Sequence, residues 1–312
     1  MTNDGEVRFD GHVAIVTGSG RGMGREHAML LARRGAKVVI SDVVKDNAEQ
    51  TVQDIVSAGG VAISFVGNIS ERAVANQMVK VTLDTFGRVD IIVNNAGIAR
   101  IKPFEETTDE DLEEILGVHL KAAWYLTQAA WPSMAKQKYG RVVMIISAAV
   151  LGLNSNTAYG AAKAAMWGLA RSLSVEGKPH NINVNSFGQA GLTQMVTDNL
   201  GDENTLKWMS HALPAAAVAP VLAWLVHEDC NITGDTITAG GRAFTRWFMG
   251  ETRGYSDANA DWTPEVIRAH WAEGCDDKDY HVPKKCDDSV MHLSKMLSGA
   301  MTEESWQSAF SR

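Results

Sequence analysis

Tyr159 and Lys163 stand four residues apart inside an Ala-rich, helix-favouring segment, 158–163 (AYGAAK). That spacing puts both side chains on one face of a helix, one turn apart. A phenol titrates near 10 in water and is a poor base at neutral pH. An ammonium fixed one turn away stabilises the phenolate and lowers that value. Ser147 follows the apolar run 142–146 (VVMII), and its hydroxyl can bond the same substrate oxygen. Three such groups converging on one oxygen move a proton off a secondary alcohol. Taken alone, Tyr-x-x-x-Lys is more often two neighbours on a surface helix. The N-terminal part of the chain decides between these readings.

Residues 12–17 (HVAIVT) read as a buried strand feeding Gly18-Ser-Gly-Arg-Gly-Met-Gly24, then a helical pattern through Leu30, Leu31 and Ala32. In the context of strand, turn and helix, such glycines let the backbone approach a pyrophosphate, whose charge the helix N-terminus favours. Gly18, Gly20, Arg21, Gly22, Met23 and Gly24 are the candidate contacts. A second strand, 37–40, ends at Ser41-Asp42. A carboxylate there accepts hydrogen bonds from both adenosine ribose hydroxyls and repels a 2′-phosphate, which favours NAD over NADP. The bland alternative for Asp42 is a helix N-cap. Arg21 is the counter-signal, since an arginine beside the glycines suits that phosphate.

These residues need a scaffold, and the pattern supplies one. Further strands fall at 61–66, 91–93, 142–146, 182–185 and 235–238, with helices at 71–86, within 107–138, at 159–176 and at 216–226. Repeated βαβ units imply an α/β fold, a Rossmann-type doubly wound parallel sheet. Asn68-Ile69 and Asn94-Asn95-Ala96-Gly97 follow strands at the end where ligands collect, so Asn68, Ile69, Asn95, Ala96 and Gly97 join the candidate contacts. Residues 188–214 break the rhythm and read as a long loop acting as a substrate lid. The predicted organisation is one NAD-binding domain, 1–244, with a C-terminal helical extension, 245–312. That extension carries Trp247, Trp262, Trp271 and Trp306, which are expected to bury against the body or a second subunit.

Composition bounds the partners. The 312 residues carry 45% hydrophobic residues and a net charge of -8. That is ample for a core and argues against nucleic acid or an anionic membrane surface. No apolar run approaches the ~20 residues that span a bilayer. The first residues are polar and acidic rather than signal-like, and the last are not a Ser-Lys-Leu type address. Three cysteines, Cys230, Cys275 and Cys286, form no C-x-x-C pair. Their use suggests a reducing compartment, read as the cytoplasm, and no metal site.

In combination, T-G-x-x-x-G-x-G at 17–24, N-N-A-G at 94–97, Ser147 and Y-x-x-x-K at 159–163 resemble the short-chain dehydrogenase/reductase family. Within it, 118–124 (VHLKAAW), 136–145 (KQKYGRVVMI), 218–230 (VAPVLAWLVHEDC) and the tail with TPEVIRAHW are similar to the hydroxyacyl-CoA dehydrogenase branch of the peroxisomal multifunctional enzymes. The resemblance implies hydride transfer between a secondary alcohol and NAD. Tyr159 would be the acid/base, Ser147 would orient the oxygen, and Lys163 would bind the nicotinamide ribose. Thr193 matches the residue that contacts the carboxamide. A homodimer or homotetramer is also implied.

Three departures stand out. His119 replaces an asparagine whose main-chain carbonyl holds a water of the proton relay. Ser147 lies twelve residues before Tyr159, one fewer than usual in the family. Gly188-Gln189-Ala190-Gly191 replaces a Pro-Gly, which predicts a looser backbone near the nicotinamide. A 3-hydroxyacyl-CoA is the implied small-molecule substrate. A hydroxysteroid or other bulky apolar alcohol is the alternative, favoured by the acidic tail, and a non-catalytic NAD sensor is the remote one.

Overall fold

The computed structural model describes residues 5–199, 202–257, 262–297 and 302. The chain runs β1 (Val13–Thr17), α1 (Gly22–Arg33), β2 (Lys37–Asp42), α2 (Lys45–Ser57), β3 (Val61–Val66), α3 (Arg72–Phe86) and β4 (Ile91–Asn94). It continues as α4 (Asp109–Leu116), a π turn (Gly117–Lys121), α5 (Ala122–Gln137), β5 (Gly140–Ile146), α6 (Thr157–Gly177) and β6 (Ile182–Ala190). Next come α7 (Gln194–Asn199), α8 (Glu203–Ala212), α9 (Ala219–Leu225), β7 (Thr236–Gly240) and β8 (Ala243–Trp247).

These strands form one sheet in the order β3-β2-β1-β4-β5-β6-β7-β8. Pairs from β3 to β7 are parallel. The Rossmann-type sheet inferred from the alternation is therefore present. Every residue of β1 and of β5 is buried. Helices cover both faces of such a sheet, so its inner strands read as apolar runs rather than alternating ones. The strand order reverses between β1 and β4, and a crevice opens there at the strands' C-terminal ends.

Three expectations need correction. First, β6 does not stop at Asn185. It continues to Ala190, with Gln189 opposite Ala239 and Ala190 opposite Gly240. With no proline there, every N–H remains available to the ladder. The backbone predicted to be loose is thus paired strand. Second, 188–214 is not an irregular loop, because α7 and α8 occupy most of it. Asp202 caps α8 by accepting from the Thr205 N–H at 2.8 Å, a signal present in the sequence. A bridge between Leu192 and Pro214 closes the base of this segment, with Leu192 N donating to Leu213 O at 2.8 Å. Third, the sheet does not end at Thr238. The two residues between β7 and β8 can only reverse the chain, and Gly241 supplies the positive φ, +58°.

The chain divides into two compact units, Met1–Arg246 and Trp247–Arg312. The second contains α10 (Pro264–Gly274), α11 (Cys286–Met296) and a short antiparallel pair, β9 (Glu251–Thr252) with β10 (Tyr280–His281). Thr263 caps α10 with proline at its first position, as the Thr-Pro pair suggests. Within the single chain Trp262 and Trp271 are 58% and 64% exposed. Trp262 stacks on Tyr255 with ring centroids 6.0 Å apart. Trp306 lies outside the described residues.

At the opposite end of the sheet from the crevice, the fully buried carboxylate of Asp90 holds β1 and β4 together. It accepts from Val13 N at 2.9 Å, from Arg88 Nε at 2.7 Å and from Gln137 Nε2 at 3.2 Å. Asp90→Ala strands these donors and is expected to lower the unfolding free energy by roughly 2–4 kcal/mol. Urea denaturation measures this. A loss below about 0.5 kcal/mol would show the cluster to be dispensable.

Candidate active site

The crevice at the ends of β1, β2 and β4 is a cavity of about 560 Å³. Every cofactor residue singled out in the sequence lines it except Gly20, which is held against Asp42. The turn after β1 is closed by backbone geometry that no side chain tolerates. Gly18 has φ +60°, and a Cβ there would stand 2.9 Å from the Ala96 Cα. A Cβ on Gly24 would stand 2.3 Å from the Gly18 carbonyl oxygen. Helix α1 begins at Gly22 with no side-chain cap from Arg21, so its first N–H groups face the crevice unclaimed by a cap.

Asp42 ends β2. Its Oδ2 accepts from Gly20 N at 3.1 Å and its Oδ1 from Val44 N at 3.0 Å. The N-cap of α2 is Val44, so the helix-cap reading of Asp42 fails. Asp42 and Arg21 both line the cavity. A cradle of side-chain-free glycines, an open helix N-terminus and a carboxylate at the end of β2 together fit a dinucleotide.

On the other side of the crevice, Ser147 directly follows β5 and α6 carries Tyr159 and Lys163. Ser147 Oγ accepts from Ala149 N at 3.2 Å, which leaves its own proton to donate elsewhere on the Tyr159 side of the crevice. The short spacing between them is taken up by a 3-10 turn (Ala148–Leu151), then Gly152 at φ +105° and Ser155 at +56°. Lys163 is buried, and its Nζ donates to Ile145 O at 2.7 Å and lies 5.5 Å from the Tyr159 ring centroid.

Burial raises the phenol of Tyr159 above its ordinary value, and the Ser147 hydrogen bond pulls it back. The same burial pushes the Lys163 ammonium down to about 7. The sequence predicts a lowered phenol, and the reason for the difference is desolvation. Each charge is unfavourable alone in this site. Formed together, phenolate and ammonium make a neutral pair whose titration belongs to both groups.

His119 sits in the π turn, where one extra residue per turn redirects side chains. Its ring is buried, meets the Tyr159 ring edge-on at 5.3 Å, and bonds Ile98 O through Nε2 at 2.8 Å. A Cβ on Gly97 would stand 2.5 Å from this ring. The imidazole thus pins the loop after β4, and burial lowers its pKa to about 3. Sequence reasoning overlooked two further residues. Gln189 lines the cavity, and the fully buried His27 bonds it from α1. No motif marks either, although the missing Pro-Gly drew attention to Gln189's neighbourhood.

Burial holds His27 near 4 and His119 near 3, against an ordinary 6.5. The unfolded chain therefore binds protons that the native state refuses, so stability falls with pH below about 6.5. Each histidine is expected to remove about 2 kcal/mol by pH 5. His27→Phe should lose correspondingly less stability between about pH 7.5 and pH 5. Equal losses in variant and wild type, by denaturant titration, would show that His27 is protonated in the native state.

The sequence model for short chain dehydrogenase matches residues 12–204. Peroxisomal multifunctional enzyme type 2 of Mus musculus is 35% identical over 303 residues, covering 93% of this chain and 40% of that protein. The structure of full-length peroxisomal multifunctional enzyme type 2 from Drosophila melanogaster superposes with a TM-score of 0.79 at 30% identity, over 94% of this chain and 50% of that one. The chain thus spans half or less of the length of these multifunctional relatives. A 7α-hydroxysteroid dehydrogenase, solved with NADH and 7-oxo glycochenodeoxycholic acid, superposes with a TM-score of 0.72 at 30% identity, over 78% of this chain and 98% of that one. With the glycine turn, the crevice and the Ser-Tyr-Lys set already in place, the matched profile leads to one conclusion: this chain belongs to the short chain dehydrogenase family.

Proposed function

We propose that this oxidoreductase interconverts a secondary alcohol and a ketone with NAD, and that its substrate is a 3-hydroxyacyl-CoA. The observation that carries the reading is the convergence of Ser147, Tyr159 and Lys163 beside a crevice whose wall presents Asp42. The nicotinamide, when bound, supplies or accepts the hydride. Tyr159 takes the hydroxyl proton of the alcohol, or returns it to the ketone oxygen. Ser147 donates to the same oxygen and orients it. Lys163 supplies the positive charge that makes the phenolate affordable in a desolvated site. The main-chain carbonyl of His119, rather than its pinned ring, serves the water that links Lys163 to solvent. Gly18, Gly22 and Gly24 hold the pyrophosphate, Asp42 the adenosine ribose, and Thr193 the carboxamide.

Exposed apolar side chains support a substrate with a long apolar part. Phe104 and Leu151 are 72% and 76% exposed, on the loops that leave β4 and β5. Those loops are joined to each other by Lys102 N donating to Ser155 O at 2.8 Å. The likeness of 118–124 and 136–145 to hydroxyacyl-CoA dehydrogenases favours an acyl chain. A hydroxysteroid is the second reading, supported by the same exposed apolar side chains and by the hydroxysteroid dehydrogenase neighbour. Turnover of 3-hydroxyacyl-CoA against hydroxysteroids, followed by NADH absorbance, separates the two.

No helix among the described residues is long and apolar enough to cross a membrane. Cysteine usage supports the cytoplasm, while the multifunctional relatives named above are peroxisomal. Homo-oligomerisation is supported by the exposed indoles of Trp262 and Trp271.

Tyr159→Phe is expected to lower kcat by at least roughly 10²-fold while NAD still binds. Retention of a tenth of the activity would require another acid/base. In the wild type the oxidation rate rises with pH through the titration of the Tyr159–Lys163 pair. Lys163→Met should move that limb upward, because burial then acts on the phenol unopposed. A limb that stays in place would separate Lys163 from the titration.

Asp42→Ala should weaken NAD and relax its discrimination against NADP, because the ribose acceptor and the charge opposing a 2′-phosphate are both removed. Measurement of kcat/KM with the two cofactors decides this. An NADP preference in the wild type would instead give the decisive role to Arg21.

A further inference from the structure

Three amide and imidazole side chains from separate elements form one hydrogen-bonded chain behind the crevice. His27 Nε2 on α1 lies 2.6 Å from Gln189 Oε1 on β6. Gln189 Nε2 lies 3.0 Å from Asn95 Oδ1, just after β4. Asn95 Nδ2 in turn reaches Thr17 O at 2.9 Å and Gly18 O at 3.1 Å, in the glycine turn.

The direction of every bond in this chain is forced. Carbonyl oxygens only accept, so Asn95 must present its NH2 group to the turn and its oxygen to Gln189. Gln189 must then present its own NH2 group to Asn95 and its oxygen to His27. His27 must therefore carry its proton on Nε2. Its Nδ1, buried and without a hydrogen-bond partner, is the bare acceptor nitrogen that this tautomer requires. The ring is fully buried and meets Phe187, two residues before Gln189 on the same strand, edge-on at 6.2 Å. At the far end the fit is equally tight, since a Cβ on Gly24 would stand 2.4 Å from Asn95 Nδ2.

We propose that His27 and Gln189 are positioning residues: their two donated protons lock the Asn95 amide in the orientation that the Thr17 and Gly18 carbonyls require, and Asn95 thereby holds the glycine turn in its cofactor-accepting shape. This rests on the dinucleotide reading of the crevice. Without the proton on His27, Gln189 Oε1 loses its donor, and only the bond to Asn95 holds the amide in its orientation. If it turned over, two oxygens would oppose each other at Asn95. Were Asn95 to turn in response, its oxygen would face the carbonyls of Thr17 and Gly18. A change in a side chain buried beneath α1 is thus passed to the turn in three steps. Direct contact of His27 with a ligand is not needed, and His27 does not line the cavity.

The test starts from the protein without cofactor. Nitrogen-15 NMR of the histidine rings should find His27 neutral with its proton on Nε2, and Gln189→Leu should change those shifts. NAD dissociation constants, by calorimetry, are expected to rise roughly 3–10-fold in His27→Phe and in Gln189→Leu, the equivalent of about one hydrogen bond. The double variant should be no weaker than the weaker single one, because both break the same chain. His27→Gln, whose side-chain amide can donate from the Nε2 position, should recover most of the affinity. A proton on Nδ1 of His27 in the wild type would overturn the proposal. So would singles that lower Tm but leave NAD affinity unchanged, or effects that add in the double variant. If the wild type itself bound no NAD, the dinucleotide reading would fall and the positioning role with it. The ring tautomer would still report separately on whether the chain of bonds exists.

Discussion

A single buried hydroxyl ties together the crevice ends of the two strands at which the sheet reverses its order. Thr17 Oγ1 donates to Val93 O at 3.3 Å and accepts from the main-chain N–H groups of Asn95 and Ala96, both at 2.9 Å. Strands β1 and β4 are neighbours in the sheet, but the chains leaving them diverge, and a crevice must open between those departures. The hydroxyl keeps it from opening too far, because the loop after β4 is bonded to the last residue of β1. Gly18 can then approach Ala96 so closely that no Cβ would fit. The cavity, the glycine requirement and the placement of Asn95 all follow from that clasp.

The catalytic side of the crevice depends on a different balance. Lys163 and Tyr159 are placed on one face of α6 by helical periodicity, but their chemistry is set by what covers them. Desolvation penalises the ammonium and the phenolate separately and penalises them far less as a pair. Ile145 O anchors Lys163 from β5, and Ser147 stands just past the end of that strand, so strand and helix must be packed before either group can titrate usefully. The π turn adds a third element to this arrangement. His119 is turned inward against Gly97 and Tyr159, and the loop after β4 is fixed by an imidazole rather than left to its own backbone.

The segment between β6 and α9 shows how local chemistry replaces a missing motif. The family's Pro-Gly would end the strand by removing an N–H. Here β6 continues in register with β7, and Gln189 lines the crevice with its side chain bonded to His27 and Asn95. Rigidity that a proline ring supplies through covalent geometry is supplied through sheet pairing and a run of side-chain hydrogen bonds.

The sheet and most of the site were legible in the sequence, because both are written in local signals. Buried parallel strands need apolar runs, a pyrophosphate turn needs glycines, and a helix face needs a spacing of four. Gly18, Asp42, Asn95, Tyr159 and Lys163 were all marked in one of these ways. The length of β6, the helices within 194–212 and the eighth strand were missed or shortened, since pairing with a neighbour rather than propensity decides where a strand stops. Periodicity could place Tyr159 beside Lys163, but it could not tell that burial would shift both titrations against their charges. Nor could it join His27 to Gln189 across 162 residues of sequence. Local residue types determined the elements and the chemistry they carry. Which distant groups share a desolvated space, and hence their protonation, was decided by the packing of those elements.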